Sequence, residues 1–250
     1  MLAVRSFIFK LGFFTWNVLG ALVTLLALPN SQEKAHWAQK VWSGGHLFVM
    51  RWLGGLTIDM RNFDKLPEGS YILACKHQSA IETVLFQGFL TRTCMVFKKE
   101  IMDVPIFSIY LKKMGMIGLD RDAGPSAMRH LLKLAKKAAD QDRPIVIFPE
   151  GTRRPVDADA VYQPGIYGLY KSLKKPVVPV AINAGNFLPK DGRLRQTGTV
   201  ILECLDPIEP GLDRDEFMER MITAIETRTN ELLQYDRDGN PPQKLSPSKN

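Results

Sequence analysis

At 250 residues the chain is long enough to bury one large α/β core, which excludes a disordered tail and a disulfide-stapled mini-protein. Hydrophobic residues make up 45% and charged residues 24%, an ordinary globular balance that confines membrane character to one segment and excludes a polytopic membrane protein. Lys plus Arg outnumber Asp plus Glu by 33 to 26, a net charge of +7, which favours an anionic partner without choosing among nucleic acid, phospholipid and acidic carrier.

The first element is apolar throughout. Residues 11–28 carry no charge, and Phe7, Ile8 and Phe9 extend the stretch backward past Lys10, approaching the roughly 20 apolar residues that cross a bilayer core. A cleaved signal peptide fits poorly, because Ala27-Leu28-Pro29-Asn30 places a proline where small residues are wanted. Pro29 is expected to end the helix and Asn30 or Ser31 to cap a second one, with Glu33 returning the hydrogen bond. That second helix, from Ser31 to about Leu53, sets Trp37, Trp42 and Trp52 among Lys34, Lys40 and Arg51, a mixture suited to a membrane interface. Gly44-Gly45 argues against an unbroken helix there. A helical hairpin over residues 1–55 that enters or crosses a bilayer is the expectation. Two ordinary core helices are the alternative, and the missing polar face of the first segment weighs against them.

From Leu56 onward short apolar runs alternate with helical patterns, which predicts an α/β domain over residues 56–236 with a mixed, largely parallel sheet flanked by helices. Strands are expected over 57–61, 71–75, 93–97, 116–119, 145–148, 177–182 and 199–205, and helices over 80–90, 106–114, 126–140, 165–173 and 214–234. The tail, 237–250, lacks apolar periodicity and is expected to be disordered. Cys75, Cys94 and Cys204 are odd in number and show no CxxC spacing, which points to a reduced, cytoplasm-facing chain without a zinc site.

Serine hydrolase, P-loop, zincin and dinucleotide-binding signatures are all missing from the sequence. What remains begins with Lys76-His77-Gln78-Ser79-Ala80-Ile81-Glu82-Thr83, directly after a strand, where open α/β sheets place their ligands. With His77 in the turn and Glu82 on the first helical turn, the carboxylate can fold back onto the imidazole and make a general base. A loop histidine beside a helix-capping glutamate is the plainer reading. Phe148-Pro149-Glu150-Gly151-Thr152-Arg153 and Gly115-Met116-Ile117-Gly118-Leu119-Asp120-Arg121 each deliver an arginine, the side chain suited to bidentate phosphate binding, at a strand end. Arg121 and Arg153 could instead pair with neighbouring carboxylates. Cys75, inside the apolar strand, reads as buried packing rather than a nucleophile.

Taken together, KHQSAIET, the stretch Phe97-Lys98-Lys99-Glu100-Ile101 with Val104-Pro105 leading to GMIGLDR, then FPEGTR and Val178-Pro179-Val180-Ala181-Ile182-Asn183 resemble the four ordered blocks of the glycerolipid acyltransferases, specifically the 1-acyl-sn-glycerol-3-phosphate acyltransferases. The resemblance runs from about Leu56 to Asn183. The family's first block usually reads H-x-x-x-x-D, and this chain has Glu82 at the acidic position. The resemblance implies that His77 deprotonates the free sn-2 hydroxyl of lysophosphatidic acid with Glu82 orienting it. It also implies that Arg121 and Arg153, with Lys98 as a third, hold the glycerol phosphate, and that Glu150, Gly151 and Thr152 shape the adjoining loop. The donor would be acyl-CoA or acyl-carrier protein and the product phosphatidic acid, with no cofactor or metal. A lyso-ornithine lipid or another lysophospholipid is the alternative acceptor. The setting would be the bilayer, at the cytoplasmic face of a bacterial inner membrane. A thioesterase would use the same base without needing two arginines, a lipid-binding protein would leave His77 and Glu82 without purpose, and no nucleic-acid motif is present.

Overall fold

The computed structural model describes residues 2–27, 32–90, 92–104, 107–235 and 237–241. Helices α1 (Leu2–Ala27) and α2 (Gln32–Val49) lead through a π turn, Met50–Gly54, into β1 (Leu56–Arg61). There follow β2 (Ile72–Cys75), α3 (Ile81–Phe89), β3 (Cys94–Lys98), α4 (Lys99–Met102), α5 (Phe107–Lys113), β4 (Ile117–Leu119), α6 (Pro125–Ala139), β5 (Ile145–Ile147), α7 (Gly165–Leu173), β6 (Val177–Ile182), β7 (Gly198–Cys204) and α8 (Arg214–Leu233). Every expected strand and helix is present within a few residues, and the short α4 is the addition. The expected helix end at Pro29, the cap at Asn30 or Ser31, and residues 242–250 of the tail lie outside the described residues. Residues 237–241 belong to the packed structure: the Thr199 amide donates to the Arg237 carbonyl at 2.7 Å and the Arg61 guanidinium to that of Gly239 at 3.1 Å.

One seven-stranded sheet runs in the order β1-β7-β6-β2-β5-β3-β4. Its five strands from β6 to β4 are mutually parallel, whereas β7 pairs antiparallel with β6 and β1 parallel with β7. Strands β2 and β6 are buried at every position, as expected of parallel strands covered on both faces. Side chains alternate: Leu73 and Cys75 join a cluster with Phe86, Trp42 and Phe9, while Ile72 and Ala74 join Leu131, Leu169 and Phe217 on the opposite face. Hairpin α1–α2, with α3 and α5, therefore covers one face, and α6, α7 and α8 cover the other. Because the five strands are parallel, their carboxyl ends open onto one edge. His77 follows β2, residues 148–153 follow β5, Lys98 ends β3, and Arg121 follows β4.

The hairpin has two different faces. Phe9, Ala38, Trp42, Val49 and Met50 are buried in the same cluster as the sheet, whereas Phe7, Leu11, Phe14, Val18 and Leu22 of α1, with Trp37, Phe48 and Trp52 beyond it, are exposed. Over Leu2–Val23, α1 is long and apolar enough to cross a membrane. Contrary to the sequence expectation, α2 runs unbroken through Gly44-Gly45. Packing supplies the reason: a side chain on Gly45 would collide with the Trp16 indole, while Gly44 faces open space. The close approach at Gly45 offsets the helix propensity that glycine lacks. Thermal unfolding should therefore separate the two positions. Gly44→Ala should leave stability unchanged or raise it by up to about 1 kcal/mol, whereas Gly45→Ala should lower it by about 1–3 kcal/mol through overpacking.

Candidate active site

Strands β2 and β5 are adjacent and parallel, so the loops leaving their carboxyl ends meet. The His77 amide donates to Glu150 Oε2 at 2.7 Å, and the Arg154 amide donates to the His77 carbonyl at 2.8 Å. The imidazole stacks on Phe148 with centroids 4.0 Å apart and planes inclined by 18°. Gly151 turns the loop at φ +74°, and a Cβ added there would lie 4.0 Å from the Arg121 guanidinium, so the turn brings the β4 arginine against the β5 loop. Beside it opens a cavity of about 570 Å³, walled by Leu119, Met128, Leu131 and Ile147 and bordered by Arg121, Gly151, Thr152 and Arg154. The cavity is apolar inside, with Arg121, Arg154 and Glu150 at its border.

Burial, followed by the charges of Arg153, Arg121 and Lys190, lowers the His77 pKa to about 3. The imidazole is neutral at physiological pH, and its buried Nδ1 has no hydrogen-bond partner. Arg121 and Arg153 form no ion pair among the described residues, so their positive field is available to an anion. Lys98 differs: its ammonium pairs with Glu100 at 2.6 Å on an exposed surface, although it shares a cleft with Arg121. Burial pushes the Cys75 thiol well above its usual range, reinforced by Glu82, Cys204 and Glu150, so it supplies no thiolate.

Glu82 is fully buried but does not hydrogen-bond His77. Its Oε1 accepts from the amides of Gln78 at 2.7 Å and Ser79 at 2.8 Å, and its Oε2 from Ser79 at 3.1 Å. Helix α3 starts at Ile81, and from its first turn the longer glutamate side chain reaches back over the preceding loop in the manner of a capping box. The anticipated carboxylate–imidazole contact is replaced by a brace on the loop that carries His77. Burial raises the Glu82 pKa to about 8, against the lowering effect of those amide hydrogen bonds.

Behind the loops, Lys76 Nζ stands 3.0 Å from Glu150 Oε1 and 2.7 Å from Glu226 Oε1. Tyr162 donates to the same Glu226 oxygen at 2.7 Å. Sequence reasoning missed Lys76, Tyr162, Lys190, Glu226 and the Phe148 stack. Lys76 and Phe148 open the KHQSAIET and FPEGTR motifs and carried that much signal; Tyr162, Lys190 and Glu226 come from segments with no motif.

A histidine whose pKa is lowered, two arginines without an ion pair among the described residues and an apolar recess beside Arg121 thus gather at the carboxyl edge of the α/β sheet. The acyltransferase family profile matches residues 57–183, half of the chain, and the chain belongs to this acyltransferase family. It is 29% identical over 202 residues to the 1-acyl-sn-glycerol-3-phosphate acyltransferase of Pseudomonas aeruginosa, covering 79% of this chain and 78% of that one. The Saccharomyces cerevisiae enzyme of the same name is 28% identical over 197 residues, 75% of this chain and 65% of the relative. In fold, the chain resembles the crystal structure of the 1-acyl-sn-glycerophosphate acyltransferase PlsC from Thermotoga maritima. The TM-score is 0.75 at 20% identity, over 93% of this chain and 98% of that one.

The bracing geometry predicts how Glu82 variants behave. Glu82→Ala strands the Gln78 and Ser79 amides and should lower stability by about 1–3 kcal/mol per orphaned group, with activity falling alongside. Glu82→Gln, which keeps an acceptor oxygen, should lose less of both. Thermal unfolding and acyl transfer measured on the same samples check this; activity lost at full stability would instead favour direct action on the imidazole.

Proposed function

We propose that the protein transfers a fatty acyl chain from acyl-CoA or acyl-carrier protein to the sn-2 hydroxyl of lysophosphatidic acid, giving phosphatidic acid. The observation that carries this reading is the neutral His77 imidazole in the field of Arg121 and Arg153. The names of the relatives agree with it. His77 takes the hydroxyl proton as the oxygen attacks the thioester carbonyl. An ester C–O bond forms, the C–S bond breaks as the tetrahedral intermediate collapses, and the imidazolium returns its proton to the departing thiolate.

The glycerol phosphate is held by Arg121 and Arg153, whose planar guanidinium groups suit its oxygens. Lys98 is available to it when released from Glu100. Gly151 and Thr152 form the turn under the phosphate, and Glu150 ties that turn to His77. Glu82 serves the base by holding the 78–79 amides rather than by touching the ring. The phosphate also tunes the base. A bound dianion offsets the cations that depress the His77 pKa, so the imidazole becomes more basic when the acceptor arrives.

Residues 1–55 act as the membrane-binding hairpin of the 56–236 catalytic domain. The exposed apolar side chains of α1 and the interfacial tryptophans enter the lipid, with the domain on the cytoplasmic face of the membrane. A substrate dissolved in that leaflet then reaches the site without crossing water.

An acceptor panel tests the assignment. One labelled acyl thioester is offered to purified protein with lysophosphatidic acid, a lyso-ornithine lipid, another lysophospholipid or water alone. Lysophosphatidic acid should be preferred. His77→Ala should lose about a hundred- to ten-thousand-fold, and Arg153→Lys about ten- to a hundred-fold in kcat/KM, expressed in the acceptor KM. Preference for a phosphate-free acceptor or for water would overturn the reading, and a defect confined to the donor KM would reassign Arg153 to the donor's phosphates.

A further inference from the structure

We propose that Lys76, Glu226 and Tyr162 form a positioning network for the catalytic base, in which Lys76, set between the carboxylates of Glu150 and Glu226, fixes the Glu150 strut that holds the His77 main chain. The inference rests on the reading of His77 as the base and adds Lys76, to which the first block assigned no role, and Tyr162 and Glu226, which lie outside every motif.

The geometry is that of a strand end. Successive side chains leave β2 on opposite faces, so Lys76 points toward the face covered by α8, where Glu226 meets it. Glu150 bridges the two consecutive residues, taking the His77 amide on Oε2 at 2.7 Å and facing the Lys76 ammonium with Oε1 at 3.0 Å. Lys76 is 2% exposed and Glu150 1%. On the far side Glu226 lies 2.7 Å from the ammonium, and the Tyr162 hydroxyl, whose ring lies 5.9 Å from Lys76 Nζ, donates to the same oxygen. One cation thus serves two carboxylates, and removing it leaves two like charges facing each other with little water between them.

Stability alone does not explain this arrangement, because well-packed apolar residues commonly hold a core as firmly as a buried ion pair. What the ions add is direction: Glu150 Oε2 is hydrogen-bonded to the His77 amide, its buried Oε1 has the Lys76 charge as counterion, and the residue it holds carries the base. None of the three network side chains lines the cavity beside Arg121. Their loss should therefore appear in turnover rather than in substrate affinity.

The test uses the purified full chain in mixed micelles with lysophosphatidic acid and acyl-CoA, rates being expressed per folded molecule from circular dichroism and thermal unfolding. Lys76→Met should lower kcat about tenfold or more with both KM values within about twofold, whereas Lys76→Arg, which keeps the cation, should stay within about fivefold of the parent. Glu226→Gln added to Lys76→Met removes the surplus charge and should recover activity about threefold or more over the single variant. If Lys76→Met does not fold, Tyr162→Phe carries the test, with an expected loss of about three- to tenfold in kcat at unchanged KM. A folded Lys76→Met or Tyr162→Phe with parental kcat, a double variant no better than the single, or a loss confined to KM would overturn the network. His77→Ala assayed alongside keeps the two ideas separate: activity in that variant sinks the base, while an inactive His77→Ala beside a parental Lys76→Met sinks the network alone.

Discussion

The adjacency of β2 and β5 is the constraint from which the catalytic edge follows. Their parallel register delivers His77 and the Glu150 turn to the same place, and a 2.7 Å hydrogen bond from the His77 amide to Glu150 joins them. Because the joint is made to the His77 main chain, whose amide donates to the Glu150 carboxylate and whose carbonyl accepts from the Arg154 amide, the imidazole is located by its backbone and by its stack on Phe148 rather than by a hydrogen bond to its own ring. In the proposed reading Nε2 is then the nitrogen that takes a proton from substrate, since Nδ1 is buried. The outer strands then bring Lys98 and Arg121 to the same edge, since β3 and β4 continue the parallel order.

Electrostatics sets the timing. Burial and three cations hold the imidazole neutral but weakly basic, a state that cannot be trapped as imidazolium before the acceptor binds. Unit charges interact with about 4 kcal/mol at 4 Å in a medium of effective dielectric near 20, so a phosphate that offsets even part of the cationic field shifts the base by a useful amount. The same arginines depress the basicity of His77, and in the proposed reading the phosphate they bind restores part of it. The hairpin contributes from the opposite direction: its inner face completes the sheet's core, and its outer face exposes large apolar side chains.

Much of this was legible in sequence. The seven strands announced themselves because central parallel strands are continuous apolar runs, and the three motif loops followed because each sits immediately after such a run. The contacts of Glu82 stayed open between the imidazole and a capping role, since a five-residue spacing across a turn is compatible with a carboxylate reaching either the imidazole or the amides beside it, and only the fold of the loop decides. Gly44-Gly45 looked like a helix break because propensity says nothing about the Trp16 indole that fills the space. Lys190, Tyr162 and Glu226 were invisible for a different reason: Tyr162 and Glu226 reach the site through tertiary contacts and Lys190 through its charge, and no local pattern encodes either.

The central claim is that burial, reinforced by Arg153, Arg121 and Lys190, keeps His77 neutral, and that a phosphate-bearing acceptor raises its pKa by offsetting the cationic part. Its most direct test is to titrate the His77 imidazole by nuclear magnetic resonance in protein carrying labelled histidine, assigned with His77→Asn. The measurement is made without ligand and with a lysophosphatidic acid analogue lacking the free hydroxyl. In the free protein the ring should stay neutral down to at least about pH 5, since its pKa lies near 3, and the analogue should move that pKa upward by offsetting Arg121, Arg153 and Lys190. A free-protein pKa near the ordinary histidine value of about 6.5, unmoved by the analogue, would contradict the account.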